Sequence, residues 1–281
     1  MADITAAMVR ELRDKSGAAM MDCKKALEAT QGDIEGAFDE LRKRGLKAAA
    51  KKEGRATGQG RLAAHLSEDG RKGAMVALAC ETDFVANTDD FNSFLSKLAA
   101  HAFEHAPADV ATMLGQNWVD GGTVSDALQT LIGKLGENMQ IADVAVYSGG
   151  DGQVGAYVHH DNMKGALVHV KTGADKAKAE EALKSLCMQI VVFSPLALDA
   201  KGVSADLIER EREIGRQGLE GKPAEIQEKI LAGRMEKFFA DNTLVGQPWI
   251  RDDKTTVAKA MVAALGAGSE VVAFRRFQLG A

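Results

Sequence analysis

Two stretches of this chain run through the same order of elements, and that order restricts the fold more than any other feature. Arg61 to Leu66 and Gly73 to Cys80 read as strands, joined by Ser67-Glu68-Asp69-Gly70, a strong turn signal. The loop Glu81 to Asn87 leads to Thr88, which can cap a helix with Phe91, Phe94, Leu95, Leu98 and Ala102 on one face. Asp89 and Asp90 suit the positive end of that helix. Later, Gln153 to His159 and Gly165 to Lys171 read as strands again. They are followed by Thr172-Gly173-Ala174 and a helix through Ala182, Leu186 and Ile190. A hairpin-then-helix unit used twice is an internal duplication, visible in pattern rather than identity. It predicts two related subdomains, each packing a small antiparallel sheet against helices.

The remaining segments differ in kind. Near the N-terminus Thr5 can cap a helix carrying Met8, Val9 and Leu12 and ending at Ser16-Gly17. A second helix carries Met20, Cys23, Leu27 and Met21 and stops near Gly32; a third, capped by Asp33, turns Ile34, Ala37, Phe38 and Leu41 inward and closes at Gly45. Three short helices can share an apolar centre, and this module has no convergent polar site for chemistry, so it reads as a docking domain. From Gly45 to Gly60 the chain is basic and Gly/Ala-rich, a helix tail running into a linker. Val110 to Met139 is mostly helical. After Pro195, Ser204 caps a charged helix, Ala205 to Arg216; a Gly-rich turn, Gly218 to Lys222, leads to Pro223 and a return helix through Ile226, Ile230, Leu231, Met235 and Phe238. Narrow apolar seams and broad polar faces predict an antiparallel helical hairpin that projects from the body. A helix near Thr256 to Leu265 and a strand, Glu270 to Gln278, complete the chain, the strand suited to rejoin the second sheet. The fold class is α+β. The expected divisions are 1–55 for the helical docking domain, 56–142 for the first core subdomain, and 143–281 for the second, with the hairpin inserted at about 203–240.

Composition excludes several functions. At 281 residues with 46% hydrophobic and 27% charged, the chain can bury a sizeable core. Its apolar runs are too short to span a bilayer, and Met1 to Thr5 lacks the basic-then-apolar pattern of a signal peptide, so cytoplasmic residence is expected and no membrane partner. The odd count of 3 cysteines, Cys23, Cys80 and Cys187, without a CxxC pair, fits buried free thiols rather than disulfides or zinc. A net charge of −5 offers no phosphate-neutralising surface, so no direct nucleic-acid partner is expected. The local exception is Arg42, Lys43, Arg44, Lys47, Lys51, Lys52 and Arg55, where no aromatic interleaves to stack a base; a solvated helix end and linker accounts for it.

No constellation for covalent chemistry stands out. His101-Ala102-Phe103-Glu104-His105 fits the H-x-x-E-H zinc-peptidase pattern, but Pro107 places it in a fraying last turn and no third ligand is identifiable. P-loop, dinucleotide and nucleophile-elbow motifs are missing, so no cofactor is expected. The loop Glu81-Thr82-Asp83-Phe84-Val85-Ala86-Asn87 is different: a carboxylate beside a Phe between strand and helix can present an acidic, aromatic tip to a partner. The plainer account has Phe84 and Val85 plugging the local core and Asp83 making a turn hydrogen bond.

Several segments resemble the bacterial-type translation elongation factor Ts family. Met20-Met21-Asp22-Cys23-Lys24-Lys25-Ala26-Leu27 is similar to its N-terminal signature, and Glu81 to Asn87 to its second. Lys134 to Asn138, Gly221-Lys222-Pro223 through Glu228-Lys229-Ile230 to Gly233-Arg234-Met235, and Gly246-Gln247-Pro248-Trp249 also resemble family segments, collinear over essentially the whole chain. The resemblance implies a ubiquitin-associated-like N-terminal domain, two related core subdomains and an inserted helical hairpin. It implies a guanine nucleotide exchange factor without covalent chemistry, acting on elongation factor Tu in its GDP-bound and nucleotide-free forms. Thr82, Asp83, Phe84 and Val85 would enter the GTPase domain and displace its Mg²⁺. Met20 and Met21 would grip the same domain, and the segments holding Leu135-Gly136 and His159 would contact the partner from the core. After His159 this chain departs from the family's usual small residues, with His160-Asp161-Asn162-Met163-Lys164-Gly165. The hairpin's pattern is open between pairing two chains, giving a dimer of heterodimers, and contacting a partner surface. A general adaptor, by contrast, would show no preference among nucleotide states of a GTPase.

Overall fold

The computed structural model describes residues 4–50 and 52–280, with side chains left aside at 46–50. Lys51 and the side chain of Lys47, two members of the basic run, therefore lie outside the described residues. The elements in order are α1 (Ala6–Ser16), α2 (Met20–Ala29), α3 (Ile34–Ala50), β1 (Gln59–Leu66), β2 (Lys72–Cys80), α4 (Asp83–Ala86), α5 (Asp89–His105), α6 (Val110–Gly115), α7 (Val124–Leu135), β3 (Met139–Ser148), β4 (Gly152–Val158), β5 (Lys164–Lys171), α8 (Lys176–Phe193), α9 (Ala205–Arg216), α10 (Ala224–Asn242), β6 (Pro248–Trp249), β7 (Asp252–Thr256), α11 (Val257–Leu265) and β8 (Glu270–Gln278). The class is α+β, with antiparallel sheets ordered β1-β2-β3 and β4-β5-β8.

The two sheets are built alike. In each, a hairpin is followed by a helix, and a later strand returns to pair with the hairpin's second strand. Each returning strand carries one extra residue at the same place. Ala77 pairs with Asp143 and Leu78 with Ile141, leaving Ala142 as the bulge. Likewise His169 pairs with Ala273 and Val170 with Val271, leaving Val272. A shared bulge at equivalent positions is a conserved twist of the ladder rather than a defect. The duplication read from sequence order thus extends to hydrogen-bond register.

The sheets stack face to face with helices on both outer sides. Along β2, Ala74, Val76, Leu78 and Cys80 face the helices, where they meet Phe91, Leu95 and Leu98 of α5 and Leu128 and Ile132 of α7. Met75, Ala77 and Ala79 face the other way, into a layer shared with Val154, Leu167 and Phe277 of the second sheet. β5 repeats this: Ala166, Val168 and Val170 pack with Leu183, Leu186 and Ile190 of α8 and Met261 of α11. Strands covered on both faces need continuous apolar runs, and β2 and β5 have them. Arg275 of β8 spans the sheets, donating from Nε and an Nη to the two carboxylate oxygens of Asp143 on β3, each at 2.9 Å.

Two sequence expectations change, and two further elements fall where none had been assigned. Helix was expected only as far as Met139, with nothing assigned to 140–152, and β3 fills most of that stretch. It is the third strand of the first sheet, so position 142/143 falls inside a paired strand, and the 149–151 turn is where the first sheet's chain leaves it. α3 does not close at Gly45 but continues to Ala50, because Gly45 packs on α7: a Cβ on Gly133 would sit only 3.0 Å from the Gly45 Cα. Met20 and Met21 are exposed; the inward positions of α2 are Cys23, Ala26 and Leu27. The pair β6–β7 supplies a small sheet in a stretch to which no element had been assigned.

The basic run is largely spent on internal ties. Arg42 pairs with Asp126 at 3.4 Å, Arg44 with Glu40 at 2.9 Å and Arg55 with Glu81 at 3.5 Å, while Lys52 Nζ donates to the Ile132 carbonyl at 3.5 Å. Three of these four reach the core, so the cations fasten the N-terminal helices to it. The hairpin α9–α10 is mostly solvent-exposed, its seam closed where Arg234 Nη1 donates to the Gln217 carbonyl at 3.1 Å.

Candidate functional site

The acidic-aromatic loop folds as one helical turn, α4. Thr82 caps it, its Oγ1 accepting from the Val85 N–H at 3.3 Å. Four residues cannot sustain a helix alone, since nucleation costs more than one turn returns. Two fastenings hold it. Val85 and Ala86 enter the core beside Cys80, Phe91 and Ile141. The carboxylate of Glu137 accepts from the Thr82 N–H at 3.0 Å and from Thr82 Oγ1 at 2.6 Å. In return, Glu81 Oε1 accepts from the Asn138 N–H at 2.6 Å, and Asn138 Nδ2 donates to the Arg55 carbonyl at 2.8 Å. Two carboxylates thus cross between the chain leaving β2 and the chain entering β3, and Glu81 also pairs with Arg55 at the end of the N-terminal linker.

The two expected core-plugging side chains part company. Val85 is 9% exposed and packed; Phe84, one residue earlier, is 82% exposed and stands in solvent. Asp83 is also exposed, and its carbonyl accepts from Asn87 Nδ2 at 2.7 Å. Large apolar side chains exposed to this degree are informative when they neighbour others of the kind. Beneath the turn, Cys80 Sγ donates to the Thr82 carbonyl at 3.1 Å; burial, then the charge of Glu137, pushes its thiol up to about 11, so it stays protonated and serves as a donor.

Two of the other expected contact residues, Met20 and Leu135, line a cleft between the N-terminal helices and the core. It encloses about 500 Å³ and is lined by Arg13, Gly17, Ala18, Ala19, Met20, Asp90, Lys134 and Leu135. Lys134 Nζ and Asp90 Oδ1 pair at 2.7 Å on its core side. Met20 contributes to this rim, and Met21 beside it is 62% exposed. Leu135 ends α7; Gly136 follows with φ +82°, the left-handed conformation that stops the helix and turns Glu137 toward Thr82. His159 lies at the end of β4 in the other sheet, half-buried, with Nδ1 3.0 Å from the Tyr157 hydroxyl. The structure thus brings Met20 and Leu135 to one cleft, ties the Thr82–Val85 turn to the segment after it, and leaves His159 on the second sheet.

Glu81, Glu137 and Asn138 were not singled out individually from the sequence. The available signal was a helix stop, Leu135-Gly136, followed at once by an acid and an amide, close to where a loop with its own acid must pass. The H-x-x-E-H segment has another use: His101 is 6% exposed and its Nε2 lies 2.9 Å from Gln116 Oε1. Burial holds its basicity below the ordinary histidine value. Among the described residues no three His, Cys, Asp or Glu side chains gather in a metal-holding group, and no helix is long and apolar enough to cross a membrane.

The chain is similar to known proteins along its whole length. A family model described as "Elongation factor TS" matches residues 81–281. An elongation factor Ts from Desulfovibrio desulfuricans is 43% identical over 292 residues, covering 100% of both chains. One from Clostridium botulinum is 42% identical over 282 residues, with 99% of this chain and 93% of that protein covered. Another, from Thioalkalivibrio sulfidiphilus, is 41% identical over 279 residues, covering 99% and 92%. Identity at this level from end to end, including the helices that precede the matched family region, means that the chain belongs to the elongation factor Ts family of translation elongation factors.

Proposed function

We propose that this chain is a guanine nucleotide exchange factor for elongation factor Tu, acting by binding alone. The observation that carries the reading is Phe84: an aromatic side chain 82% exposed at the tip of a turn whose next residue, Val85, is anchored in the core. A rigidly mounted apolar wedge is what a protein needs to enter another protein and shift its packing. Asp83 stands beside it, exposed, as the charge that would perturb the surroundings of the partner's Mg²⁺. Met20, Met21, Leu135 and Gly136 would supply a docking rim where the N-terminal helices meet the core, and His159 a further contact from the second sheet.

The thermodynamics follow from linkage. Mg²⁺ bridges nucleotide phosphates to a GTPase and offsets much of their charge, so expelling it weakens GDP. If the exchange factor lowers GDP affinity, GDP lowers exchange-factor affinity by the same factor. GTP then enters because it is in excess, and no bond is made or broken. The test is release of a fluorescent GDP analogue from elongation factor Tu in stopped flow at fixed Mg²⁺. Acceleration at catalytic amounts of this chain is expected. Confirmed complex formation without acceleration would overturn the reading in favour of an adaptor.

A further inference from the structure

The mounting of the Phe84 turn has more structure than a docking loop requires. Thr82 is at once the cap of α4 and the partner of Glu137. Its hydroxyl has one proton and two lone pairs. By taking the proton at 2.6 Å, the Glu137 carboxylate leaves a lone pair aimed at the Val85 N–H, so the charge on α7's exit loop sets the quality of the cap. The same carboxylate takes the Thr82 N–H, one of the donors that a helix start leaves without a partner. Glu81 closes the loop from the other side on the Asn138 N–H, and Asn138 reaches the Arg55 carbonyl.

We infer that Glu137 is a positioning residue: acting through Thr82, it locks the Phe84 turn to the end of α7, so that Phe84 and Leu135 meet a partner as one preset surface. The inference rests on the exchange-factor reading for its consequence, and on the hydrogen bonds alone for its geometry. The exposed side of so short a turn is held at its far end by Asn87, whose Nδ2 donates to the Asp83 carbonyl and whose Oδ1 accepts from Arg61, and at its start by Glu137 through Thr82, while Val85 and Ala86 restrain the inner face. Loss of the clasp frees the turn to rotate about that anchor. Docking through Met20 and the cleft persists, while the step that needs Phe84 in place slows. The signature is a fall in the saturating rate of nucleotide release with little change in the half-saturating concentration.

The test pairs a measurement on the free protein with one on the reaction. ¹⁵N relaxation of the full chain gives order parameters for residues 83–87 in the wild type, Glu137→Gln and Thr82→Val. The wild type is expected near the rigid value of about 0.85, and both variants are expected to fall toward about 0.6 there, with α5 unchanged. Glutamine keeps the shape but presents a donor where two donors already converge; valine removes the hydroxyl, and with it both its bond to Glu137 and the cap on the Val85 N–H, while the Thr82 N–H can still donate to Glu137. In stopped flow, Glu137→Gln is expected to lower the saturating GDP-release rate about tenfold, on the order of one lost charge-assisted hydrogen bond. Unchanged order parameters in both variants overturn the inference whatever the kinetics show. So does a loosened turn with wild-type release kinetics. If the wild type itself does not accelerate release, the exchange reading fails, and loosened order parameters still uphold the lock.

Discussion

Replacing Phe84 and Val85 by alanine, one at a time, should separate function from stability across a single peptide bond. A phenylalanine side chain carries roughly 200 Å² of surface. With Phe84 82% exposed, about 160 Å² of that remains to be buried by a partner, worth at most about 4 kcal/mol at ~25 cal/mol per Å². That bounds the effect of Phe84→Ala on nucleotide release at about three decades, with one to two expected once ordering costs are met. In the free chain only about 40 Å² is lost, near 1 kcal/mol, and alanine's better helix propensity returns about half of it. Val85 is the reverse case: 9% exposed, packed beside Phe91 and Ile141, it loses two buried methyl groups and leaves a cavity, at a cost of about 2 kcal/mol. Urea unfolding followed by circular dichroism measures the stability of each variant, and stopped-flow release of a fluorescent GDP analogue measures the rate. Phe84→Ala should unfold within about 0.5 kcal/mol of wild type and release GDP slowly. Val85→Ala should unfold earlier and, at temperatures where it is folded, retain most of the rate. If Phe84→Ala is as unstable as Val85→Ala, the side chain belongs to the core. If it is stable and exchanges at the wild-type rate, the wedge is wrong.

Three further outcomes follow from other parts of the molecule. Gly133→Ala places a Cβ 3.0 Å from the Gly45 Cα, a backbone atom that cannot swing aside; overpacking of about 1–3 kcal/mol against a helix-propensity gain of about 1 leaves a net loss on the order of 1 kcal/mol, read by thermal unfolding together with faster amide exchange in α3. Arg275→Ala removes the link to Asp143, but the arginine side chain is more than half exposed, so the loss should stay below about 1 kcal/mol and shrink in high salt. His101 and His169 are both held below the ordinary histidine value by burial, so the unfolded chain takes up protons first; stability should fall as pH drops below about 6.5, and His101→Gln should lessen the slope of a denaturant-midpoint series against pH.

What the sequence made legible is what depends on local chemistry. Turn residues marked the hairpins, Thr5, Thr88 and Ser204 cap the helices they were expected to cap, and the narrow apolar seams of 205–216 and 224–242 foretold the helical hairpin. The features missed depend on distant chain. Met139 to Ser148 follows the helix stop at Gly136 yet carried no assignment: its burial alternates only in part, and its pairing partner, β2, lies some sixty positions earlier. Gly45 looked like a stop signal because glycine usually is one. Here it is kept inside a helix because Gly133, nearly ninety positions on, needs its backbone close. Met20 and Met21 fit the apolar period of α2, and only the buried set Cys23, Ala26 and Leu27 reveals that the methionines lie off that face.

The same distinction explains why the loop was readable as a motif and not as a device. Its residues, Glu81 to Asn87, can be recognised in a row, but the row does not say which side chains face out. That is decided by Glu137, fifty-five positions after Thr82, and by the core that receives Val85. An exposed phenylalanine on a free loop would lose much of its binding energy to ordering. On a turn capped by Thr82, tied by two carboxylates and seated on two buried residues, most of that ordering is complete before a partner arrives. The wedge and its mounting are therefore one functional unit: substitutions at Glu137 and Phe84 should be less than additive in the saturating rate, because a displaced turn has already forfeited what the phenylalanine would contribute.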